Sequence, residues 1–312
     1  MSKLFVIFGA TGQQGGALVN YILDHPEFSK TFRLRAITRN ASSTAAAKLK
    51  QKSVEIVEAN LDDPETLHAA VAGAYAVFSV TNYWEKARAS VEIAQGKALA
   101  DAAVAAGVTL FIWSSLPNVK KITNGKLTEV HHFDSKAEVE EYIRGLSFPS
   151  SVFFLPGWFM QNVWNDLAPK PKKISDQKVL FPFAFTPETR IPLIDISDIG
   201  KYLAPALRDP LKYNGCQLTA STAFYTAQEQ VETWSEVSGK QVVLPSISEI
   251  PLLTDDPIKQ KVSQAPTMLS EWSYYGPTGQ KDLEWTLEQV DEKLTTWREF
   301  LEANGPWFED DN

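Results

Sequence analysis

Three glycines spaced over seven residues near the N-terminus form the strongest candidate binding site. The segment Gly9-Ala10-Thr11-Gly12-Gln13-Gln14-Gly15 follows the apolar run Leu4–Phe8 and opens a stretch typical of a helix. Gly9 allows a tight turn, Gly12 lets the backbone approach a pyrophosphate, and Gly15 lets the helix pack closely on the strand. Unpaired N–H groups at the start of such a helix attract phosphate. The spacing therefore predicts a dinucleotide site.

The second predicted strand indicates which dinucleotide is bound. NAD sites place an Asp or Glu about 20 residues beyond the glycines, where its carboxylate accepts a hydrogen bond from the ribose 2′-OH. The stretch Phe32–Asn40 contains no acidic residue, and Arg39 lies at the end of its strand. A guanidinium can form a forked pair with a 2′-phosphate. The sequence therefore favours NADP(H) over NAD(H).

Short apolar strands alternate with helices through the first 155 residues. Strands are predicted at Leu4–Phe8, Phe32–Thr38, Val54–Val57, Tyr75–Thr81, Thr109–Trp113 and Ser151–Leu155. Helices are predicted between them, at Gln14–Leu23, Pro64–Val71, Arg88–Ala106 and Lys136–Arg144. Strands that are apolar on both faces and alternate with helices indicate parallel βαβ units. The predicted fold class is α/β, a Rossmann-type doubly wound parallel sheet with a smaller α/β C-terminal cap.

The pattern becomes less regular after residue 155. Strands are predicted at Arg190–Ile194 and Gln217–Thr219, and helices at Ser197–Leu207, Ala227–Ser238 and Leu287–Ala303. We interpret residues 1–155 as an NADP(H)-binding domain, to which a strand and a helix near residues 190–220 also contribute. Residues 156–312 then form mainly the smaller cap, which would hold a substrate or a partner.

Composition and charge exclude several classes of protein. Hydrophobic residues make up 44% of the 312 residues and charged residues 22%, which is ordinary for a globular chain and excludes disorder. The net charge is −8, whereas proteins that bind nucleic acid directly are normally basic. No apolar run approaches the roughly 18 residues of a membrane span, and the histidines lack the spacing of a metal site. We expect a cytoplasmic protein that binds no metal, nucleic acid or membrane.

Several segments together resemble the NmrA-like family, atypical members of the short-chain dehydrogenase/reductase superfamily. They are the glycine segment, Thr38-Arg39-Asn40, Val80-Thr81-Asn82-Tyr83-Trp84, His132-Phe133-Asp134-Ser135-Lys136 and Asp195-Ile196-Ser197-Asp198-Ile199-Gly200. The resemblance covers nearly the whole chain, because the last of these segments lies in the second half.

The resemblance implies positions for the adenosine and phosphate parts of NADP(H). The pyrophosphate is expected to lie among Gly9, Thr11, Gly12, Gln13 and Gly15. Arg39 is expected to hold the 2′-phosphate. Asn60 is expected beside the adenine, although many members of the superfamily carry Asp at this position. All of these residues follow the carboxyl ends of strands, where open α/β sheets bind ligands.

The resemblance also implies positions around the nicotinamide. Thr81, Asn82 and Tyr83 are expected beneath its ribose. Ser114 or Ser115 ends the fifth strand and is the candidate for orienting a substrate carbonyl, with Ser114 also expected to contact the cofactor. These residues follow neighbouring strands and so should meet at one edge of the sheet.

The catalytic group is the feature on which function depends. The usual acid of the superfamily is a Tyr four residues before a Lys, and that Lys holds the ribose and lowers the pKa of the Tyr. This chain keeps Lys136 but has His132 at the Tyr position. Lys136 is expected on a helix surface, as ribose clamp and catalytic support, as in the more distantly similar isoflavone and pinoresinol reductases. His132, with an unperturbed pKa near 6.5, is a candidate proton donor; the alternative is a local hydrogen bond at the helix start.

Aromatic residues after the sixth strand predict a substrate site. Trp158, Phe159 and Asn162 follow this strand at the mouth of the expected cleft, and an apolar pocket with a few polar groups suits a cyclic or aromatic molecule. The alternative for each aromatic ring is core packing.

The resemblance leaves two functions open. One is an NADPH-dependent reductase of a small carbonyl, enone or imine. The other is a redox sensor that binds NADPH or NADP+ without turnover and regulates a protein partner. A homodimer is an open expectation for either function, and a nuclear location for the sensor.

Overall fold

A seven-stranded parallel sheet brings the carboxyl ends of its strands together along one edge. In the computed structural model, residues 2–164, 170–183, 185–245 and 264–308 are described. The sheet contains β1 (Lys3–Ile7), β2 (Phe32–Thr38), β3 (Glu55–Glu58), β4 (Ala76–Ser79), β5 (Leu110–Ser114), β6 (Ser150–Pro156) and β11 (Gln217–Ala220). The strand order is β11-β6-β5-β4-β1-β2-β3, and every pairing is parallel. All six strands predicted in the first 155 residues are present.

Helices connect these strands and continue into the second half. They are α1 (Gln13–Asp24), α2 (Phe28–Thr31), α3 (Thr44–Gln51), α4 (Pro64–Val71), α5 (Tyr83–Lys86), α6 (Ala89–Ala105), α7 (Val119–Ile122), α8 (His131–Arg144), α9 (Ile199–Arg208), α10 (Ala227–Ser238), α11 (Gln264–Trp272), α12 (Gly279–Gln289) and α13 (Trp297–Ala303). Two 3₁₀ turns lie at Met160–Val163 and Ile196–Asp198. No helix in these described ranges is long and apolar enough to cross a membrane.

Alternation along β1 shows that both faces of the sheet are covered. Leu4, Val6 and Phe8 pack in one hydrophobic cluster with side chains from α4, α6 and α8. Phe5 and Ile7 pack in a second cluster with α1 and α9. Successive side chains of a strand point to opposite faces, so the continuous apolar run reflects burial on both sides. The predicted α/β fold class is confirmed.

The second half adds two short sheets. β7 (Trp158–Phe159), β10 (Arg190–Ile194) and β12 (Ala223–Thr226) form one sheet in the order β12-β10-β7. β8 (Lys172–Lys173), β9 (Lys178–Leu180) and β13 (Gln241–Val243) form the other in the order β13-β9-β8. β11 instead joins the central sheet beside β6. The chain therefore returns to the first sheet after it has begun the second, while the division near residue 155 stays a prediction.

The single helix predicted at Leu287–Ala303 is wrong. Val290 has extended backbone angles and ends α12, and Thr296 starts α13. The Thr296 hydroxyl accepts a hydrogen bond from the Glu299 N–H at 3.2 Å, and the Glu299 carboxylate accepts one from the Thr296 N–H at 2.9 Å. This reciprocal cap satisfies two N–H groups of a helix start, so a new helix begins where one continuous helix was expected.

Candidate functional site

The glycine segment forms a tight turn at the carboxyl end of β1. Gly9 has a φ of +66°, in the left-handed region that favours glycine. A Cβ on Gly15 would overlap the carbonyl group of Gly9, so Gly15 allows α1 to pack directly on the turn. Thr11, Gly12 and Gln13 are exposed, and no described side chain caps α1 at Gly12. The N–H groups at the start of this helix are therefore placed to bind a phosphate.

Arg39 forms an ion pair with Glu85 across the carboxyl edge of the sheet. Arg39 follows β2, Glu85 lies in α5 just after β4, and β1 lies between these two strands. The pair therefore joins the two sides of the glycine turn. The Arg39 side chain is 60% exposed and that of Glu85 is 33% exposed. The guanidinium thus lies at the end of β2 as expected, but it already contacts a carboxylate that the sequence analysis did not single out.

Asn60 shapes the turn between β3 and α4. Its side-chain oxygen accepts a hydrogen bond from the Asp62 N–H at 3.0 Å, and its own N–H donates to the Thr66 hydroxyl at 3.1 Å. The residue is exposed. Its position after β3 is that expected for a residue beside an adenine.

The residues after β4 divide into buried and exposed positions. Thr81 and Tyr83 are buried, whereas Asn82 is exposed at the start of α5. The Thr81 hydroxyl donates to the Glu92 carboxylate at 2.6 Å. Burial, and then the negative charge of Glu92, raise the pKa of Tyr83. The segment therefore offers one exposed amide above a buried polar layer.

Ser114 connects the end of β5 to α1. Its buried hydroxyl donates to the Gln14 side-chain oxygen at 2.7 Å. Ser115 is also buried, and its hydroxyl lies 3.5 Å from the Leu116 carbonyl oxygen. Ser114 is thus placed against the first turn of α1, and Gln14 is a neighbour that the sequence analysis did not predict.

Lys136 lies in a buried polar cluster, which makes the expected surface position wrong. Its Nζ forms an ion pair with Glu92 and lies 3.0 Å from the Thr81 hydroxyl oxygen. The Lys136 side chain is 11% exposed and that of Glu92 is 1% exposed. Glu92 also accepts a hydrogen bond from the Ser135 hydroxyl. One buried carboxylate therefore contacts Thr81, Ser135 and Lys136, all of which lie in the segments that carry the family resemblance.

Sequence reasoning missed Glu92, although a signal for it exists. Glu92 lies in the first turn of α6, a helix that is otherwise rich in alanine and buried at several positions. A carboxylate is almost never fully buried without a partner. A glutamate on an apolar helix face therefore predicts a partner with positive charge.

His132 lies in the first turn of α8, enclosed by aromatic rings. Its ring centroid lies 4.9 Å from that of Trp84, 4.9 Å from that of Phe133 and 5.8 Å from that of Tyr83. Burial, and then the positive charge of Lys136, lower the pKa of His132 to about 3. The imidazole is therefore neutral at pH 7, with a pKa well below the unperturbed value near 6.5 that made His132 a candidate proton donor.

Trp158 and Phe159 pack on different sides of the chain. Trp158 lies against the rings of Phe183 and Phe185, with centroid distances of 5.0 and 6.0 Å. Phe159 packs against the hydrophobic cluster on the α1 and α9 side of the central sheet. Neighbouring residues of a strand point in opposite directions, so these two rings do not form the walls of one pocket.

The 3₁₀ turn that contains Asn162 is hydrogen-bonded to the segment that follows β10. Asn162 is half-buried. Its neighbour Gln161 donates to the Asp195 carboxylate at 2.6 Å and accepts from the Ile196 N–H at 3.2 Å. These bonds hold the turn near the end of β10, which fixes the position of Asn162.

Two tyrosines attach the C-terminal part of the chain to the strand ends. The Tyr274 hydroxyl donates to the Pro156 carbonyl at 3.1 Å. The Tyr275 hydroxyl donates to the Leu155 carbonyl at 3.1 Å and lies 3.3 Å from the Ala220 carbonyl oxygen. Both rings are buried and therefore act as structural links between this segment and the ends of β6 and β11.

A protein-family model matches almost the whole chain. The model of the NmrA-like family matches residues 1–301. The chain belongs to the NmrA-like family. The resemblance inferred from the glycine segment and the later motifs is confirmed.

Similar proteins of the NmrA-like family carry names of two kinds. An NmrA-like family domain-containing protein of Dictyostelium discoideum is 28% identical and covers 96% of this chain and 97% of its own. An NmrA-like family domain-containing oxidoreductase of Aspergillus flavus is 30% identical and covers 78% of this chain and 77% of its own.

Two solved structures share the fold of this NmrA-like chain. The crystal structure of NmrA, a negative transcriptional regulator, has a TM-score of 0.82 at 21% identity and covers 97% of this chain and 95% of its own. The Citrobacter sp. triphenylmethane reductase complexed with NADP(H) has a TM-score of 0.73 at 19% identity and covers 97% of this chain and 99% of its own. A regulator and a reductase thus have the same architecture as this chain.

Proposed function

We propose that the protein binds NADP(H) and uses it to reduce a small cyclic or aromatic carbonyl, enone or imine. The glycine turn supports the dinucleotide, because it leaves helix N–H groups unpaired and has no room for a Cβ at Gly15. Arg39 at the end of β2 supports the 2′-phosphate. The relatives that are named oxidoreductases, and the reductase complexed with NADP(H), support the reaction class.

The buried ammonium of Lys136 is the observation that carries the enzymatic proposal. Glu92 and Thr81 hold it beside the end of β4, where the nicotinamide ribose is expected. NADPH supplies a hydride, and reduction of a carbonyl or imine also consumes a proton. We assign the supply of this proton to Lys136, which regains one from solvent. His132 is neutral at pH 7, so we assign it to packing around the substrate together with Tyr83 and Trp84.

The two halves of the chain have separate roles in this proposal. Residues 1–155 hold the dinucleotide through the glycine turn, Asn60, Asn82 and Ser114. Residues 156–312 form most of the substrate site, in which Trp158 supplies an aromatic face and Asn162 an amide. Phe159 packs on the opposite side, so we leave it out of the substrate site.

A second candidate function is a dinucleotide sensor that regulates a protein partner. Two observations favour it: Glu92 already neutralises Lys136, and the neutral His132 is a poor acid. The regulator NmrA has the same fold. A sensor needs different partner affinities in its NADPH and NADP+ forms, because a ligand shifts an equilibrium only through differential affinity.

NADPH consumption tests the two functions against each other. The purified protein is incubated with NADPH and a panel of cyclic and aromatic ketones, enones and imines, while NADPH absorbance is followed. The double variant Glu92→Gln/Lys136→Met serves as the inactive control, because it removes both buried charges together. We expect turnover with members of the panel for the unchanged protein only. No turnover, together with a change of self-association between NADPH and NADP+, would establish the sensor instead.

A further inference from the structure

The carboxylate of Glu85 lies where it competes with a ligand for Arg39. The ion pair joins a residue after β2 to a residue after β4, on either side of the glycine turn. A second carboxylate, that of Glu58, accepts a hydrogen bond from the Ala41 N–H at 3.0 Å and so belongs to the backbone of this loop. Glu85, by contrast, contacts the guanidinium itself.

Glu85 opposes the binding of a 2′-phosphate in two ways. The carboxylate occupies Nη1 of Arg39, which is part of the fork that a phosphate binds. The carboxylate also repels the phosphate, because a phosphate monoester carries about −1.5 to −2 charges at pH 7. Neither effect acts on a 2′-hydroxyl. Glu85 therefore weakens the binding of a 2′-phosphorylated dinucleotide selectively.

We propose that Glu85 determines how strongly the protein prefers NADP(H) to NAD(H), by competing with the 2′-phosphate for Arg39. This inference rests on the proposed binding of NADP(H). Binding of the phosphorylated dinucleotide exchanges the Arg39–Glu85 pair for an Arg39–phosphate pair. The protein thereby keeps a smaller discrimination between the two dinucleotides than Arg39 alone would give.

Titration of both dinucleotides into three proteins tests the inference. The dissociation constants of NADPH and NADH are measured calorimetrically for the unchanged protein, for Glu85→Gln and for Glu236→Gln. Glu236 is the matched control, because it forms an exposed ion pair with Arg298 between α10 and α13. Exposed ion pairs are weak, so we expect Glu85→Gln to tighten NADPH binding roughly 1.5- to 5-fold. The affinity for NADH, and both affinities of Glu236→Gln, should stay unchanged.

A double variant separates competition from a general charge effect. In an Arg39→Ala background, Glu85→Gln should improve NADPH binding less than it does in the unchanged protein. Unchanged or weaker NADPH binding by Glu85→Gln, or an equal gain for NADH, would overturn the inference while leaving the proposed function intact. Failure of the unchanged protein to bind either dinucleotide would refute the proposed function and this inference with it.

Discussion

The side chains of Lys136 and Glu92 form a buried ion pair beside the end of β4. The two residues come from α8 and α6, which pack against each other on one face of the central sheet. The Thr81 hydroxyl donates to Glu92 and accepts from Lys136, so the pair is hydrogen-bonded as well as charged. A buried charge that loses its partner is strongly destabilising, and this gives the pair measurable consequences for stability.

Lys136→Ala should destabilise the fold, contrary to the tolerance expected of a surface helix position. The substitution leaves the Glu92 carboxylate buried without its counterion, which costs about 3–5 kcal/mol of the free energy of unfolding. Glu92→Gln should cost a similar amount, because it leaves the ammonium unpaired. Glu92→Gln/Lys136→Met should recover most of the loss. Urea unfolding of the unchanged protein, Lys136→Met, Glu92→Gln and the double variant measures the coupling, and additive losses in the double variant would show that the two charges act independently.

Arg39→Ala should weaken the binding of NADPH and leave that of NADH almost unchanged. Hydrogen bonds to a charged group contribute about 1.5–3 kcal/mol, which corresponds to roughly a 10- to 150-fold loss of NADPH affinity. Calorimetric titration of both dinucleotides measures the difference. Arg33→Ala is the control, because Arg33 lies near the start of the same strand. An equal loss for both dinucleotides would remove Arg39 from the 2′-phosphate site.

His132 should make the fold less stable in acid. Its pKa is about 3 in the folded protein and near 6.5 in an unfolded chain. Below pH 6.5 the unfolded chain therefore binds a proton that the folded protein excludes. The free energy of unfolding should fall by up to about 1.4 kcal/mol per pH unit between about pH 6 and pH 3.

The contribution of His132 can be separated from that of its neighbour. His132→Gln should reduce the loss of stability between pH 7 and pH 4, whereas His131→Gln should retain it. His131 is the matched control because it is half-exposed and lies beside Glu129 at 3.4 Å. Urea unfolding at both pH values measures the effect. An identical pH dependence in all three proteins would show that a group other than His132 causes the loss of stability in acid.

Gly15→Ala should disrupt the glycine turn, and Gly16→Ala should have a smaller effect. A Cβ on Gly15 overlaps the Gly9 carbonyl group, whereas one on Gly16 lies 3.3 Å from the Ala10 carbonyl oxygen. Forcing extra volume into a packed region costs about 1–3 kcal/mol, and Ala is preferred to Gly within a helix. Thermal unfolding and NADPH titration measure both effects. Equal behaviour of the two variants would mean that the turn adapts to the added methyl group.

The elements around the site were predictable because their signals are local. The apolar run of β1, the glycine spacing and the start of α1 are all contained in about a dozen residues. The Thr296-x-x-Glu299 spacing was equally local, and it could have separated α12 from α13. Hydrophobic periodicity and helix capping depend on residues that are close together in the chain, so a single sequence is enough to recognise them.

The contacts that define the chemistry were not predictable in the same way. Glu92 lies 44 residues from Lys136, and Glu85 lies 46 residues from Arg39. The residues of each pair come into contact only because the fold places the carboxyl ends of the parallel strands and the neighbouring helices side by side. The low pKa of His132 has the same origin, since Tyr83 and Trp84 come from the end of another strand. The sequence suggested candidates such as Arg39, His132 and Lys136, but the carboxylate partners of Arg39 and Lys136 and the pKa of His132 depend on the completed fold.

The position of β11 determines how long one edge of β6 stays unpaired while the chain is synthesised. β6 is buried along its whole length, and its outer neighbour β11 begins only at Gln217. The Phe153 N–H donates to the Cys216 carbonyl at 3.0 Å, so this edge of β6 needs a segment that a ribosome synthesises much later. Until then, an apolar strand with an unpaired edge is a template for pairing between chains. We expect fragments that stop before residue 217 to aggregate, and translation through β11 to be the point at which a nascent chain becomes protected.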